Sequence, residues 1–173
     1  MSAQLSYNFS TPLDVAGGIY DLAPYAVDTF LNEEDTGVMQ FGVAVVQGTK
    51  PGINVALPGA SATAATIEGI TTNNRTTEYD LEGKIHVKNG AAIGVMRYGR
   101  IYARIATGAT PSYGDAVYVI PGGDEAGFVT DAADNGESGA DKVSYVAIKA
   151  RFLGRVDSNA GIALVELFNQ AQA

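Results

Sequence analysis

The pattern that most constrains this chain is the alternation of short apolar runs with turn-forming residues along its length. Runs rich in Val, Ile, Ala and Tyr are separated by Gly, Pro and Asn, and the 21 Gly and 6 Pro are dispersed rather than gathered into one tract. β-branched and aromatic residues favour strands, whereas Gly, Pro and Asn favour tight turns. Because no long segment shows the helical spacing of apolar residues, the sequence predicts a mainly β protein with little helix.

Individual strands follow from alternation with a period of two residues. The segment 41–46 has Phe41, Val43 and Val45 on one face and Ala44 and Val46 on the other. Since both faces are apolar, this strand is expected to be central in its sheet. The segment 25–31 is interpreted as a strand, with a short helix after a proline as the alternative. Further strands are expected within 53–59, 67–70, 81–108, 114–120, 127–131, 142–156 and 162–168, with turns at Asn89–Gly90, Tyr98–Gly99 and Pro121–Gly123.

The length of 173 residues predicts one domain preceded by an arm. Residues 1–18 have no helical period and end at Gly17–Gly18, so they are interpreted as an extended N-terminal arm with a glycine hinge. Within this arm Leu5, Tyr7 and Phe9 alternate, which suits a segment that lies on a neighbouring molecule. Residues 19–173 are expected to form a single β-rich domain, either a small β-barrel of the β-tulip kind or, as the alternative, a two-sheet β-sandwich.

The residue inventory excludes most enzyme chemistry. There are 0 Cys and 1 His, so disulfides, thiolate metal sites and cysteine nucleophiles are absent, and His86 is interpreted as an ordinary strand residue. Neither a phosphate-binding glycine loop nor a nucleophile elbow is present. The acidic loop 131–137 lacks the spacing of a calcium loop and is interpreted as solvated. We therefore expect no catalytic residue, metal or cofactor.

Charge is distributed in blocks and totals −8. Residues 1–49 and 105–141 contain acidic side chains but neither Lys nor Arg. The basic residues are concentrated in 75–104 and 142–173. A net negative charge disfavours nucleic-acid binding. No apolar run is long enough for a membrane helix, and the first residues do not resemble a signal peptide.

The segment 95–105 places aromatic and basic residues together. On a continuous strand Tyr98, Arg100, Tyr102 and Arg104 would share one face with Met96, and the opposite face would be apolar. Tyr and Arg are enriched as anchors of protein interfaces, and basic residues among aromatics also suit single-stranded nucleic acid. From the residues alone, a solvated face with arginine stems lying over tyrosines remains a further interpretation.

Several motifs in their order resemble the capsid decoration, or structural cement, proteins of tailed bacteriophages. The segment 16–49 is similar to the opening of these proteins. The motifs that carry the resemblance are Phe41–Gly48, Glu68–Ile70, Gly99–Arg104, Gly114–Tyr118 and the closing segments 151–156 and 161–168. The likeness spans residues 16–168, and residues 1–15 match no part of the family pattern.

The resemblance implies a non-enzymatic virion protein that is made in the bacterial cytoplasm and binds the outer surface of the assembled head. It implies a homotrimer that bridges neighbouring subunits of the major capsid protein and resists the pressure of packaged DNA. Leu5, Tyr7 and Phe9 are then candidate capsid contacts, and the Tyr98–Arg104 face is a candidate protein interface. The alternatives are another virion β-module (a tail-tube, head-completion or fibre-associated protein) and, from a different class, an enzyme or small-ligand module.

Overall fold

The computed structural model describes residues 15–73, 78–79 and 85–169. Within these residues the secondary structure is almost wholly β, and the one helical element is a 3₁₀ turn at Gly139–Asp141. The strands are β1 (Ala26–Asn32), β2 (Ala44–Gln47), β3 (Asn54–Ala56), β4 (Ile67–Thr71), β5 (Glu78–Tyr79), β6 (Ile85–His86), β7 (Ala92–Arg104), β8 (Ala116–Val119), β9 (Val129–Thr130), β10 (Val146–Asp157) and β11 (Ile162–Leu167). The predicted mainly β class is confirmed.

Five strands form a closed barrel in the order β1-β3-β2-β4-β7. The barrel closes because β1 pairs in parallel with β3 on one edge and antiparallel with β7 on the other. Closure leaves no exposed sheet edge in this part of the molecule. The barrel prediction is therefore confirmed over the two-sheet sandwich. The interior is filled by Phe30, Met39, Phe41, Val43, Val45, Val55, Val87, Ile93 and Val95.

A second sheet includes the C-terminal half of β7 and has the strand order β7-β11-β10-β8-β9. It is antiparallel throughout. A parallel bridge between Ile105 and Val129 brings its last strand back to the end of β7. Its inner face includes Ile101, Ala103, Val117, Phe152, Val165 and Leu167, and it packs on the outward-facing Ala44, Ile67 and Ile70 of the barrel wall. The two faces predicted for segment 41–46 thus serve two different cores.

The long strand β7 contains a bulge where the sequence predicted a turn. Ala26 pairs with Tyr98 but Val27 pairs with Met96, so Arg97 is the extra residue. Gly99 follows with φ 121°, and a Cβ there would lie 2.7 Å from the Cβ of Tyr25. The predicted turn at Tyr98–Gly99 is therefore wrong, because the chain passes straight through as one strand.

The bulge also changes which residues share a face. An extra residue shifts the alternation of every side chain that follows it. Met96 packs in the same core as Ile101 and Ala103, whereas the sequence had placed Met96 on the face of Tyr98 and Arg100. That assignment is corrected.

The predicted turn at Asn89–Gly90 is present, but the strands on either side of it do not form a hairpin. The Ala91 amide donates to the Lys88 carbonyl at 3.1 Å, while His86 in β6 pairs with Glu78 in β5.

The described residues contain no helix with the length and apolar character needed to span a membrane.

Candidate interaction surface

Residues 17–20 run alongside β7 on the edge that β11 does not occupy, and one isolated antiparallel bridge joins Ile19 to Ile101. The Gly17 amide donates to the Tyr102 carbonyl at 2.7 Å, the Tyr102 amide donates to the Gly18 carbonyl at 3.0 Å, and the Tyr20 amide donates to the Arg100 carbonyl at 3.0 Å. Gly17 has φ 77°, and a Cβ on it would lie 2.6 Å from the Asn73 amide nitrogen. A turn residue held this closely is unsuited to a hinge, so the hinge predicted at Gly17–Gly18 does not lie there.

The described part of the predicted arm therefore belongs to the packed domain. Gly17 and Gly18 are buried, and Ala16 packs against Tyr102 and its neighbours. The candidate capsid contacts Leu5, Tyr7 and Phe9 lie outside the described residues. Their role stays a prediction.

The four residues predicted to share an exposed face have different environments. Tyr98 is 43 % exposed, whereas Tyr102 is only 2 % exposed. Tyr102 meets the ring of Tyr20 edge-on, with 6.0 Å between the ring centroids. In the single chain Tyr102 is therefore a core residue, and Tyr98 is the exposed aromatic of this set.

Arg104 is partly buried and bonds to the backbone rather than to an acid. Its Nε donates to the Phe41 carbonyl oxygen at 3.1 Å. Burial lowers the pKa of the Arg104 guanidinium, because desolvation penalises the charged form. Among the described carboxylates none forms an ion pair with it.

Arg100 belongs to a row of charges that crosses three strands. Glu166 of β11 is the direct partner of Arg100 in β7 and of Arg151 in β10. Its Oε1 accepts from Arg100 Nε at 3.0 Å and its Oε2 accepts from Arg151 Nε at 2.7 Å. Asp21 Oδ2 accepts from Arg100 Nη1 at 2.8 Å. One carboxylate thus orients two arginines at the outer face of the second sheet.

The pairing in this row shifts the pKa values of its members. Burial raises the pKa of Glu166, but hydrogen bonds from Arg151 and Arg100 together outweigh it, so its pKa lies below the ordinary value. Hydrogen bonds to Glu166 and then Asp21 raise the pKa of Arg100. Glu166 and Arg100 are therefore both charged at neutral pH.

Aromatic side chains surround this row. The Arg151 guanidinium lies 5.6 Å from the ring centroid of Phe168 and 5.9 Å from that of Tyr113. Arg155 lies 5.3 Å from the ring centroid of Tyr20. A shallow pocket beside Arg100 and Glu166 is lined by Ala23, Pro24, Tyr98 and Phe168. We call the whole set the arginine–aromatic surface: Tyr20, Leu22, Tyr25, Tyr98, Arg100, Tyr113, Arg151, Arg155 and Phe168.

Sequence reasoning found Tyr98 and Arg100 but missed the rest of this surface. Arg151 and Arg155 flank Leu153 in a strand whose basic residues recur, which was a usable signal. Their position beside Arg100 depends on the pairing of β7 with β11 and of β11 with β10, which the sequence does not show.

A second arginine cluster lies in the barrel wall and is enclosed. Arg97 forms an ion pair with the buried Glu68, and its Nε lies 2.9 Å from Asp28 Oδ2 without the geometry of a hydrogen bond. Gln47 donates to the other oxygen of Glu68, and the Arg97 guanidinium lies 5.5 Å from the ring centroid of Phe30. Arg97 Nε is buried without a hydrogen bond, but Glu68 is paired within the barrel wall by Arg97 and Gln47, so the contacts of this cluster are structural.

Comparison with known proteins gives two findings. The sequence model of a phage family described as "Structural cement protein (E217 gp24/Pam3 gp6)" matches residues 3–168. A solved structure from "The capsid of Myoviridae Phage XM1" is similar, with 24 % sequence identity and a TM-score of 0.64 over 94 % of this chain and 98 % of that chain. At this identity the structural likeness shows a shared fold. No curated protein matches the chain.

Proposed function

Since the chain belongs to the phage structural cement protein family, we propose that it binds the outer surface of the assembled head and joins neighbouring subunits of the major capsid protein. A capsid-decorating and stabilising role follows from the family itself. The observation that carries the proposal is the match over residues 3–168, which spans the barrel, the second sheet and the segment 17–20 beside β7. The localisation that follows is the virion.

A structural role also fits the chemistry of the described residues. Their clustered carboxylates serve arginines or backbone amides: Glu68 binds Arg97, Glu166 binds Arg100 and Arg151, and Glu33 accepts from the Thr49 amide. Within the described parts of the chain, no group of His, Asp and Glu converges as metal ligands would. We therefore propose that the protein acts through burial and ion pairing and catalyses no reaction.

Because a capsid shell repeats the same contact many times, the binding free energy of each contact can be modest. A shell presents many equivalent sites, and a cement protein that contacts two subunits gains from the high effective concentration of the second site after it has bound the first. We propose a homotrimer, which would multiply these contacts further. Leu5, Tyr7 and Phe9 are proposed to add capsid contacts beyond the domain.

The test uses heads of the encoding phage that were assembled without this protein. Added protein should co-sediment with the heads and should raise the temperature at which they release DNA. Co-sedimentation without a rise in that temperature would leave decoration but overturn the proposed bridging. Absence of co-sedimentation would overturn the function itself.

Two further measurements address the arm and the trimer. Deletion of residues 2–14 leaves the pairing of Gly17 and Tyr20 with β7 intact, so the domain should fold normally. If the arm is a capsid contact, the truncated protein should bind heads more weakly than the full chain, and undiminished binding would contradict that role.

The trimer is tested by sedimentation equilibrium, which measures the mass of the free protein in solution. A mass other than that of three chains would contradict a preformed trimer.

A further inference from the structure

We infer that the arginine–aromatic surface is the part of this protein that docks on the capsid, and that the capsid surface it meets is acidic with apolar residues among the carboxylates. This inference rests on the proposed function and specifies the site through which it acts. It is carried by three features of the described residues: exposed apolar area, local charge and preorganisation.

The first feature is the concentration of exposed apolar side chains. Leu22 is 96 % exposed, Tyr113 is 68 % exposed, and Tyr25, Tyr98 and Phe168 are each exposed by more than two fifths. Single exposed apolar residues are ordinary, but a contiguous group of them marks an interaction site. Tyr98 and Phe168 also line one shallow pocket, which gives a partner side chain a place to be enclosed.

The second feature is a local charge opposite to that of the whole chain. The chain carries a net charge of −8. On this face stand Arg100, Arg151 and Arg155, and the carboxylates that pair with them among the described residues are Asp21 and Glu166. Lys149 precedes Arg151 by two residues on β10 and adds to the same side. An acidic partner is therefore repelled by most of this molecule and attracted here, so that charge selects this face and its orientation.

The third feature is that the arginines are already held in place. Both oxygens of Glu166 are occupied by Arg100 and Arg151, and the Arg151 guanidinium lies near the rings of Tyr113 and Phe168. Side chains fixed before binding lose less conformational entropy when a partner arrives. A planar guanidinium can still donate its remaining N–H groups to a carboxylate of the partner.

The decisive experiment compares two double variants at different places on the surface. Each variant shortens one exposed aliphatic side chain to Ala and replaces one basic residue by Glu. L22A/R155E alters the arginine–aromatic surface at an exposed leucine and at an arginine with no ion pair to a described carboxylate. I53A/K50E makes the matched changes in the exposed turn between β2 and β3. Neither variant removes a core side chain, so both should keep the far-UV spectrum and the solution mass of the wild type.

Binding to heads assembled without the protein is measured by co-sedimentation. We expect L22A/R155E to weaken binding by about tenfold or more and I53A/K50E by less than about twofold. Salt raised from about 50 to 500 mM should weaken the wild type more than L22A/R155E, because the variant lacks one attractive charge.

Two results would overturn the inference, and a third would overturn the proposed function on which it rests. Equal binding of the two double variants, with wild-type binding intact, would show that the capsid is met elsewhere while the proposed function stands. A change in the solution mass of L22A/R155E, with head binding per oligomer unchanged, would assign the surface to a second copy of the chain. Failure of the wild type to bind heads would instead overturn the proposed function.

Discussion

The two halves of β7 place their arginines in opposite settings. In the barrel half, Arg97 is enclosed with the buried Glu68, and its side chain is 23 % exposed. In the half that belongs to the second sheet, the Arg100 side chain is 37 % exposed and pairs with Glu166 and Asp21 at an outer face rich in aromatic residues. The change occurs within three residues, across the bulge at Arg97.

This difference shows how one strand can serve both stability and binding. A buried charge with all its partners inside is a structural element, because removal of one partner leaves the other desolvated and unpaired. A charge that keeps one flank in solvent contributes less to stability and remains able to meet another molecule. The bulge separates the two roles by turning the following side chains to the other face.

The largest expected effect tests how tightly the barrel half of β7 is enclosed. A Cβ at Gly69 in β4 would collide with the Met96 carbonyl oxygen of β7, and φ at Gly69 is 155°. Gly69→Ala should lower the free energy of unfolding by about 3 kcal/mol or more, because the clash is with backbone that cannot move without opening the barrel. Urea unfolding measures the loss. Gly90→Ala, with nothing within 4 Å of its Cβ, is the control and should cost about 1 kcal/mol. Equal losses would mean that the barrel wall can relax.

The next effect tests whether the Arg97 cluster is structural. Arg97→Met should lower the free energy of unfolding by about 2–3 kcal/mol, because Glu68, at 6 % exposure, then keeps Gln47 alone among its described partners. The double variant R97M/E68Q should recover a large part of this loss. Arg155→Met is the matched change at the outer face and should alter stability by less than about 0.5 kcal/mol. A comparable loss in both single variants would contradict the contrast between the two settings.

A smaller effect concerns the pH dependence of the outer charge row. Because the pKa of Glu166 is lowered in the folded protein, its pairing stabilises the fold above the unfolded carboxyl pKa of about 4.3 and is lost as the pH falls through the folded pKa. Glu166→Gln should therefore be less stable than the wild type by about 1 kcal/mol at pH 7, given the partial exposure of Arg100 and Arg151. The gap should begin to narrow as the pH falls below about 4.3 and should continue to narrow until the pH passes the folded pKa. Urea unfolding at pH 7 and about pH 3.5 measures it, and a gap unchanged with pH would contradict the ionic origin.

The smallest effect is expected at Arg104. Its replacement by Met removes one hydrogen bond to the Phe41 carbonyl but also removes a partly buried charge that has no described carboxylate partner. These two contributions oppose each other, so Arg104→Met should change the free energy of unfolding by less than about 1 kcal/mol. Thermal unfolding beside Arg97→Met makes the comparison within one strand. A loss as large as that of Arg97→Met would show that Arg104 has a stabilising role comparable to that of Arg97.

Much of the secondary structure was predictable because strand alternation is local. The apolar two-sided pattern of 41–46 correctly placed β2 between two neighbours, and the alternation of 25–31 correctly favoured β1 as a strand over a helix. The strand expected within 142–156 is present as β10. In each case neighbouring residues carry the signal, since side chains on a strand alternate whatever the strand pairs with.

The candidate site was less predictable because it depends on pairing between distant segments. Tyr102 looked like an exposed anchor, yet residues 17–20 pair with β7 beside it and Tyr20 packs against its ring. No sequence pattern marked Phe168 or Tyr113 as part of the site. The Arg151 guanidinium lies near the Phe168 ring because β10 pairs with β11, and it also lies near the ring of Tyr113. No local pattern reports a partner that lies about eighty residues away along the chain.

The sequence by itself determined that this protein is built mainly of strands and tight turns, that it lacks the residues for most catalytic chemistry, and that it resembles the structural cement proteins. Those properties reside in residue types and in spacings of a few positions, which survive any arrangement of the strands. The tertiary structure alone decided that β1 closes a barrel against β7, that a bulge at Arg97 reverses the faces after it, and that Arg100, Glu166 and Arg151 meet in one row. These depend on register between strands that are far apart in sequence, and register is set by the packing of both cores together rather than by any one segment.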